Sequence, residues 1–279
     1  YSNANGTYTM TQAGVWTFDP NNNLVNPADA TFSYTITDGD GDPDTALQPI
    51  TIIDGKALTA TKNAAITVDE EGLDTANALG SAENPLVVGE ESTLERASDT
   101  VTFLAGSDAI TGMVFGSTAL LTANVNGIAG NDIVWSAGGG TVITGTIGGL
   151  LAITITLTPI LAGPTGTATG TVNVVLSDNF PHINALGQNT ITLTGLVVTA
   201  SEADTTSADA TVTITVVDDI PDAVNDTAQS VAEDFVGTIG GTVMANDTQG
   251  ADGAVVTSIT VNGITTIVPG GTISRTSAR

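Results

Sequence analysis

The sequence predicts an all-β protein, built as tandem β-sandwich modules joined by acidic, calcium-binding linkers. Three observations carry that prediction. Stretches such as Asp209-Ala210-Thr211-Val212-Thr213-Ile214-Thr215-Val216-Val217 alternate apolar and hydroxyl residues, the period of a half-buried strand. No long stretch combines a helical period with good helix formers, whereas Thr and Val abound. Acidic clusters recur at the ends of strands, in a chain with 30 Asp+Glu against 5 Lys+Arg and a formal net charge of −25.

Composition bounds the rest. A length of 279 residues is enough for one to three domains. Hydrophobic residues make up 41% and aromatics only 4%, so a sizeable core is built from Val, Ile, Leu and Ala. The charge argues against nucleic acid as a partner, and against anionic membranes unless calcium bridges them. Cysteine is absent, so there is no disulfide framework and a divalent metal is the expected staple. The opening Tyr1-Ser2-Asn3-Ala4-Asn5-Gly6 has neither the basic region nor the apolar core of a signal peptide. Val142 to Gly163 is uncharged and about a bilayer long. Its Gly148-Gly149, Pro159 and Ile153-to-Thr158 alternation make it two strands around a tight turn instead of a membrane span.

In chain order, Gly6–Met10 and Val15–Phe18 form a hairpin around Gln12-Ala13-Gly14, and Asp19 to Asn23 is a loop. Ala30–Thr37 alternates, with Phe32, Tyr34 and Ile36 facing a core. Asp38, Asp40, Asp42 and Asp44 then carry carboxylates at every second position. An EF-hand is excluded, because its twelfth position is Pro49 and no helices flank it. Two readings stay open there: a calcium loop between strands, or a solvated acidic turn. Ala46–Ile53 is a strand that Pro49 demotes to an edge or a bulge.

Residues 55–218 form the largest unit, a complete sandwich. Lys56–Asn63 reads as a polar connector and Ala65–Val68 as a short strand, and 74–98 is irregular and acidic. Strands follow at Thr100–Leu104, Thr111–Phe115, Ala119–Val125, Asp132–Trp135, Thr141–Ile147, Leu151–Leu157, Thr169–Leu176, Thr190–Thr199 and Ala210–Val217. Asn126-Gly127 signals a hairpin. In 219–279, Ile239–Met244 and Ala254–Val261 read as strands, and Asn262-Gly263 turns into Ile264–Val268.

The junction after Val217 sets the chemistry. Pro221 stops strand pairing. Asp218, Asp219, Asp222 and Asp226 lie within nine residues and repel by about 3 kcal/mol per close pair at an effective dielectric near 20. With so few basic residues, a cation must neutralise them, and oxygen-only donors suit Ca²⁺. Candidate ligands at this second junction are Asp218, Asp219, Asp222, Asn225 and Asp226, with Glu233 and Asp234. At the first junction they are Asp54 with Asp69, Glu70 and Glu71, helped by the Asp38–Asp44 loop.

Residues 32–42, preceded by Gly6-Thr7-Tyr8 and Trp16-Thr17-Phe18-Asp19-Pro20, resemble the second half of a VCBS or cadherin-like bacterial repeat. Ala223-Val224-Asn225-Asp226, Glu233-Asp234, residues 241–247 and residues 256–263 resemble its first half. The middle unit, with residues 66–73 and the Thr-rich strand into Asp218-Asp219-Ile220-Pro221, is similar to long repeats of type I secreted adhesins of the RTX class. The resemblance implies immunoglobulin-like modules, stiffened by calcium, in a very long extracellular protein of the bacterial cell surface. Glycine-aspartate nonapeptide repeats are absent from this sequence. Residues 1–54 then read as the C-terminal half of one module and 219–279 as the N-terminal half of another. Together they make about 115 residues, the size of one immunoglobulin-like domain, to be completed by neighbouring copies along a fibre or by each other.

No enzyme constellation is expected. His182 sits in a turn, no Cys or second His is there to build a zinc or thiol site, and no phosphate-cradling glycine loop precedes a helix. Acidic pairs are frequent at this composition, and they lie at junctions, not among aromatics. The favoured function is a structural extender in an adhesin or filament, without a deep polar pocket, with neighbouring copies of the repeat as partners. A glycan- or peptide-binding module of the same kind of protein is the alternative.

Overall fold

The computed structural model describes residues 1–21, 24, 27–73, 95–121, 133–178, 180, 187–250 and 253–267. The architecture is all-β. Six strands come first: β1 (Gly6–Met10), β2 (Trp16–Pro20), β3 (Ala28–Asp29), β4 (Phe32–Thr37), β5 (Pro43–Gln48) and β6 (Thr51–Ile52). They pair as β1–β2, β4–β5 and β3–β6, with the β5–β6 break at Pro49. The aromatic rings of Tyr8, Phe18, Trp16 and Phe32 stack edge-on or tilted between them. Phe32 is half-buried, but Tyr34 and Ile36, expected to face a core, are exposed.

The main body is a sandwich of two sheets. Its strands are β7 (Thr59–Lys62), β8 (Ala64–Asp69), β9 (Arg96–Leu104), β10 (Ile110–Phe115), β11 (Ile133–Trp135), β12 (Val142–Ile147), β13 (Leu150–Ile160), β14 (Thr167–Leu176), β15 (Thr190–Glu202) and β16 (Ser207–Val217). One sheet is four-stranded, in the order β10-β15-β16-β8; the other is six-stranded, in the order β11-β12-β13-β14-β9-β7. Strand alternation fixes the inner faces. Val212, Ile214 and Val216 of β16 and Ile66 and Val68 of β8 meet Val101, Phe103, Ile155, Leu157, Val172 and Val174 of the opposite sheet in one core. Trp135 and Phe180 belong to that core.

Glycines act where the backbone demands them. Gly148-Gly149 turns β12 into β13 with both φ angles positive, at 58° and 88°. In β15 the pairing with β16 shifts between Leu193 and Leu196, with Gly195 at φ 88°. Ile191 and Leu193 point inward before this bulge, and Leu196, Val198, Ala200 and Glu202 after it. The extra residue keeps both halves of a long strand facing the core, since a shift of one residue otherwise flips every side chain.

Several expectations need correction. Residues 59–62, read as connector, form β7 on the edge of the larger sheet, where Leu58 is buried beside them. Residues 96–98, read as irregular, already belong to β9, because β14 extends far enough to pair with them. Residues 119–121 are helical and not strand, with the Ala119 N–H held by Ser117 Oγ. Ile239–Met244 is not a strand, since Gly240-Gly241 weakens it and no described neighbour pairs with it. Beyond it, β17 (Ser258–Val261) and β18 (Ile264–Ile267) form a hairpin whose Asn262-Gly263 turn has positive φ at both residues. Asn126-Gly127, His182 and most of the irregular acidic stretch lie outside the described residues.

Replacing Gly195 by Ala forces a side chain into left-handed backbone and is expected to lower stability by about 1–3 kcal/mol, read from the urea midpoint. A second test concerns Asp99, which pairs with Lys62 and accepts the N–H groups of Ala65 and Thr100 at 3.0 and 2.7 Å. The Lys62 hydrogen bond, first among these, holds its carboxyl below the usual value of 3.8. With the folded value under the unfolded one, its stabilisation is complete above the ordinary carboxylate range and vanishes as pH falls through the folded value. Asp99→Asn is therefore expected to cost about 1 kcal/mol at pH 7, a difference from wild type that closes as pH falls through the lowered folded value in a pH series of melts.

Candidate metal centre

Strand β8 runs parallel to β16, from Ala64 opposite Val212 to Asp69 opposite Val217. The two chains therefore leave the sheet side by side, and both are acidic there. On one side Glu70–Gly72 makes a 3-10 turn whose N-cap is Asp69, with Asp69 Oδ1 accepting the Glu71 N–H at 3.0 Å. The turn can close because residue 72 is glycine; a Cβ there would sit 2.6 Å from the Glu95 nitrogen. It drives Glu70 into the protein, fully buried, where Oε1 accepts the Phe180 N–H. On the other side, the Asp218 N–H donates to the Asn189 carbonyl at 2.8 Å, and Asn189 Nδ2 donates to Asp218 Oδ2 at 3.3 Å.

The outcome is a three-carboxylate centre. Oxygens of Glu70, Asp218 and Asp219 lie within 4.8 Å of one another. Hard oxygen donors at that spacing fit Ca²⁺, which takes six to eight oxygens at about 2.3–2.6 Å. Residues 248–250 lie over one side, where only a glycine at 250 leaves room for the Asp219 carboxylate; a Cβ would be 2.8 Å from Oδ2.

The remaining sequence candidates fall elsewhere. Asp222 bridges to Thr248. Asn246 Nδ2 donates to the carbonyls of Val224 and Asn225, and Asp247 Oδ1 accepts the Val224 N–H at 2.8 Å. These bonds tie residues 222–225 to the 246–248 segment. Glu233 and Asp234 form an exposed turn. Asp38, Asp40 and Asp42 also bring oxygens within 4.8 Å, but all three are exposed. Asp38 Oδ1 already accepts the N–H groups of Asp40, Gly41 and Asp42 at 2.9–3.2 Å. Hydrogen bonding to Asp40 and Asp42 keeps the Asp38 carboxyl below its usual value. Asp44 is part of β5, opposite Ile36.

Asp54 parts company with Asp69, Glu70 and Glu71, with which sequence order grouped it. Gly55 N–H donates to Ser107 Oγ at 3.1 Å and Ser107 N–H to the Lys56 carbonyl at 2.9 Å, so Asp54 sits beside the loop before β10. Ile110 of β10 pairs with Glu202, whose turn feeds the start of β16. The first junction is thus at the N-terminal end of β16 and Glu70 at its C-terminal end, about 33 Å apart over eleven residues.

Three acidic residues near Asp54 were missed by sequence reasoning: Asp108, Glu202 and Asp204. Asp108 and Glu202 are only 1% and 3% exposed. Burial pushes the Asp108 carboxyl up, and the charges of Asp204 and Asp54 add to it. Burial does the same to Glu202, opposed by the Gly106 N–H and reinforced by Asp204, Asp54 and Asp108. One signal was readable: Glu202 continues the inward row Leu196, Val198, Ala200.

Residues 1–51 match the model of a protein family described as "Bacterial Ig domain". The all-β architecture agrees with a repeat of that immunoglobulin-like kind. No curated protein matches the chain. No described helix is long and apolar enough to cross a membrane.

Gly72→Ala is expected to lower stability by about 1–3 kcal/mol, because its methyl would lie 2.6 Å from the Glu95 backbone nitrogen, which cannot swing away, as well as from Glu95 Oε2. Chemical denaturation measures this.

Proposed function

We propose that the chain is a structural extender of a long bacterial surface adhesin or filament, stiffened by calcium at its module junctions. The observation that carries this is the sandwich's polarity. The polypeptide enters beside Ser107, at the N-terminal end of β16, and leaves past Val217, at the far end of the same strand. Each sandwich thereby advances the chain by about one strand length, roughly 33 Å. A binding module has no need to separate its entry from its exit, whereas an extender requires it.

The similarity of residues 1–51 to a bacterial Ig domain supports placement on a bacterial surface. The VCBS, cadherin-like and RTX-type resemblances of the sequence support calcium-stiffened tandem repeats, type I secretion and a part in adhesion or biofilm. The centre of Glu70, Asp218 and Asp219 lies where the chain leaves the sandwich, so an ion there fixes the exit direction. The flanking units expose Trp16, Tyr34, Ile36 and Leu47 on one side and Val231, Phe235, Ile239 and Val243 on the other. Apolar surface of this kind suits packing against neighbouring modules of the same array. The assignment includes no enzymatic role.

A ligand-binding role has one observation in its favour. An open groove of about 810 Å³ is lined by Met10, Trp16, Phe32, Tyr34 and Ile36 among others, and exposed aromatic rings stack on sugars.

Small-angle scattering and calorimetry, each in calcium and in chelator, test the extender. Calcium is expected to raise the melting temperature and increase the maximum dimension. The stabilisation is about 2.7 kcal/mol per site at one hundred times the dissociation constant, and Glu70→Gln should lose that share. Identical dimensions and melting in both buffers would overturn the proposal. Saturable binding on a glycan array, abolished by Trp16→Ala, would transfer the assignment to the binding module.

A further inference from the structure

At the entry end of the sandwich three segments converge. Gly106 N–H donates to Glu202 Oε1 at 2.6 Å, joining the loop before β10 to the end of β15. Ser107 N–H donates to the Lys56 carbonyl, and Gly55 N–H to Ser107 Oγ, joining that loop to residues 54–57. The approach is so close that a Cβ on residue 106 would lie 2.0 Å from the Lys56 oxygen. The turn after β15 is closed by Glu202 N–H on the Thr206 carbonyl at 2.9 Å, and it presents Asp204. Asp204 Oδ1 accepts the N–H and the hydroxyl of Thr206.

This convergence seals off carboxylate oxygens from solvent. Both oxygens of Asp108, and Oε2 of Glu202, are buried and accept no hydrogen bond. Asp54 and Asp204 bear on both of them as like charges, and no lysine or arginine among the described residues offsets them. Lys62 is engaged with Asp99 and Arg96 with Glu95. A buried carboxylate without a partner is among the most costly arrangements a fold can hold, and here Asp108 is one, beside a Glu202 that is only half satisfied.

We propose that Asp108 and Glu202, with Asp54 and Asp204, form a second site for a hard divalent cation of the calcium class, at the entry end. The donors are oxygen only, which excludes soft metals. Asp108 offers two free oxygens and Glu202 one, and Asp54 and Asp204 are near enough to act on both as charges. An ion would have to draw the four together. The carboxylate oxygens grouped within 4.8 Å among the described residues are those of Asp38, Asp40 and Asp42 and of Glu70, Asp218 and Asp219, not these. An ion here would clamp residues 54–57 to the sandwich, as one at Glu70 would clamp the exit. The site does not depend on the extender reading: ion binding and solution length are separate measurements, and either can fail alone.

The test is calcium titration of the full chain by calorimetry, in wild type, in the double variant Asp108→Asn with Glu202→Gln, and in Glu70→Gln. The double variant is expected to bind one calcium fewer than wild type, while Glu70→Gln keeps this site. Amide spectra of the wild type decide the matter even if the double variant fails to fold. Calcium should shift the Gly106, Asp108 and Asp204 resonances together. The proposal is overturned if those resonances stay fixed to millimolar calcium while the Asp108 and Glu202 carboxyl carbons read as protonated at pH 7. The two would then be a pair of neutral buried acids. Equal stoichiometry in wild type and the folded double variant would overturn it too.

Discussion

The parallel pairing of β8 with β16 is the constraint on which the rest of the structure depends. It joins residues 64–69 to residues 212–217, across nearly the whole length of the sandwich sequence. Without it the four-stranded sheet would end on an open edge at β16. Parallel strands cannot be joined by a hairpin, and here all of β9 to β15 intervenes between them. The pairing also sets chemistry. Because Asp69 stands opposite Val217, the acidic residues that follow each strand have to meet, and Glu70 reaches Asp218 and Asp219 although some 150 residues of chain lie between them.

A second constraint acts through strand phase. The bulge at Gly195 returns β15 to the core after Leu193, and so aims Leu196, Val198, Ala200 and Glu202 inward in one row. Three of these complete an apolar face. The fourth delivers a carboxylate to a place where burial raises its proton affinity. The same backbone device that completes the core thus buries a carboxylate beside that of Asp108. A chain with 5 basic residues has few means of answering that charge from within. Among the described residues Lys62 and Arg96 are occupied elsewhere and Lys56 bears on neither Asp108 nor Glu202, which leaves a proton or an external cation.

Much of the architecture was legible in the sequence, for one physical reason. Period-two alternation in β12 to β14 and β16 is a local consequence of one face meeting a core, and it survives in the sequence unaltered. The turns at Gly148-Gly149 and Asn262-Gly263 were legible because positive φ selects those residues. What was not legible depends on partners distant in sequence. The short polar segment Thr59–Lys62 is a strand only because β9 offers an edge, and Ile239–Met244 has the right composition but no described neighbour. Tyr34 and Ile36 have the spacing of core residues, yet no described sheet covers them.

The candidate site shows the same division more sharply. Sequence order places Asp54 only fifteen residues before Asp69, which invites one cluster. Strands, however, carry the chain about 3.3 Å per residue, so even a six-residue strand separates its ends by more than any coordination sphere. β7 and β8 both lie between Asp54 and Glu70, and the topology sends the two acids to opposite ends of the sandwich. The acids near Asp54 are instead Asp108, far in sequence from any other acid, and Glu202 and Asp204, two residues apart. In a sandwich, then, acids gather by the end of the strand they follow or precede and not by proximity along the chain. A run such as Asp38–Asp44, dense in sequence, satisfies its first carboxylate with its own backbone N–H groups and stays at the surface. Asp108 and Oε2 of Glu202, which strands bring to one buried end, have no such partners, and it is they that create a demand for a proton or a cation.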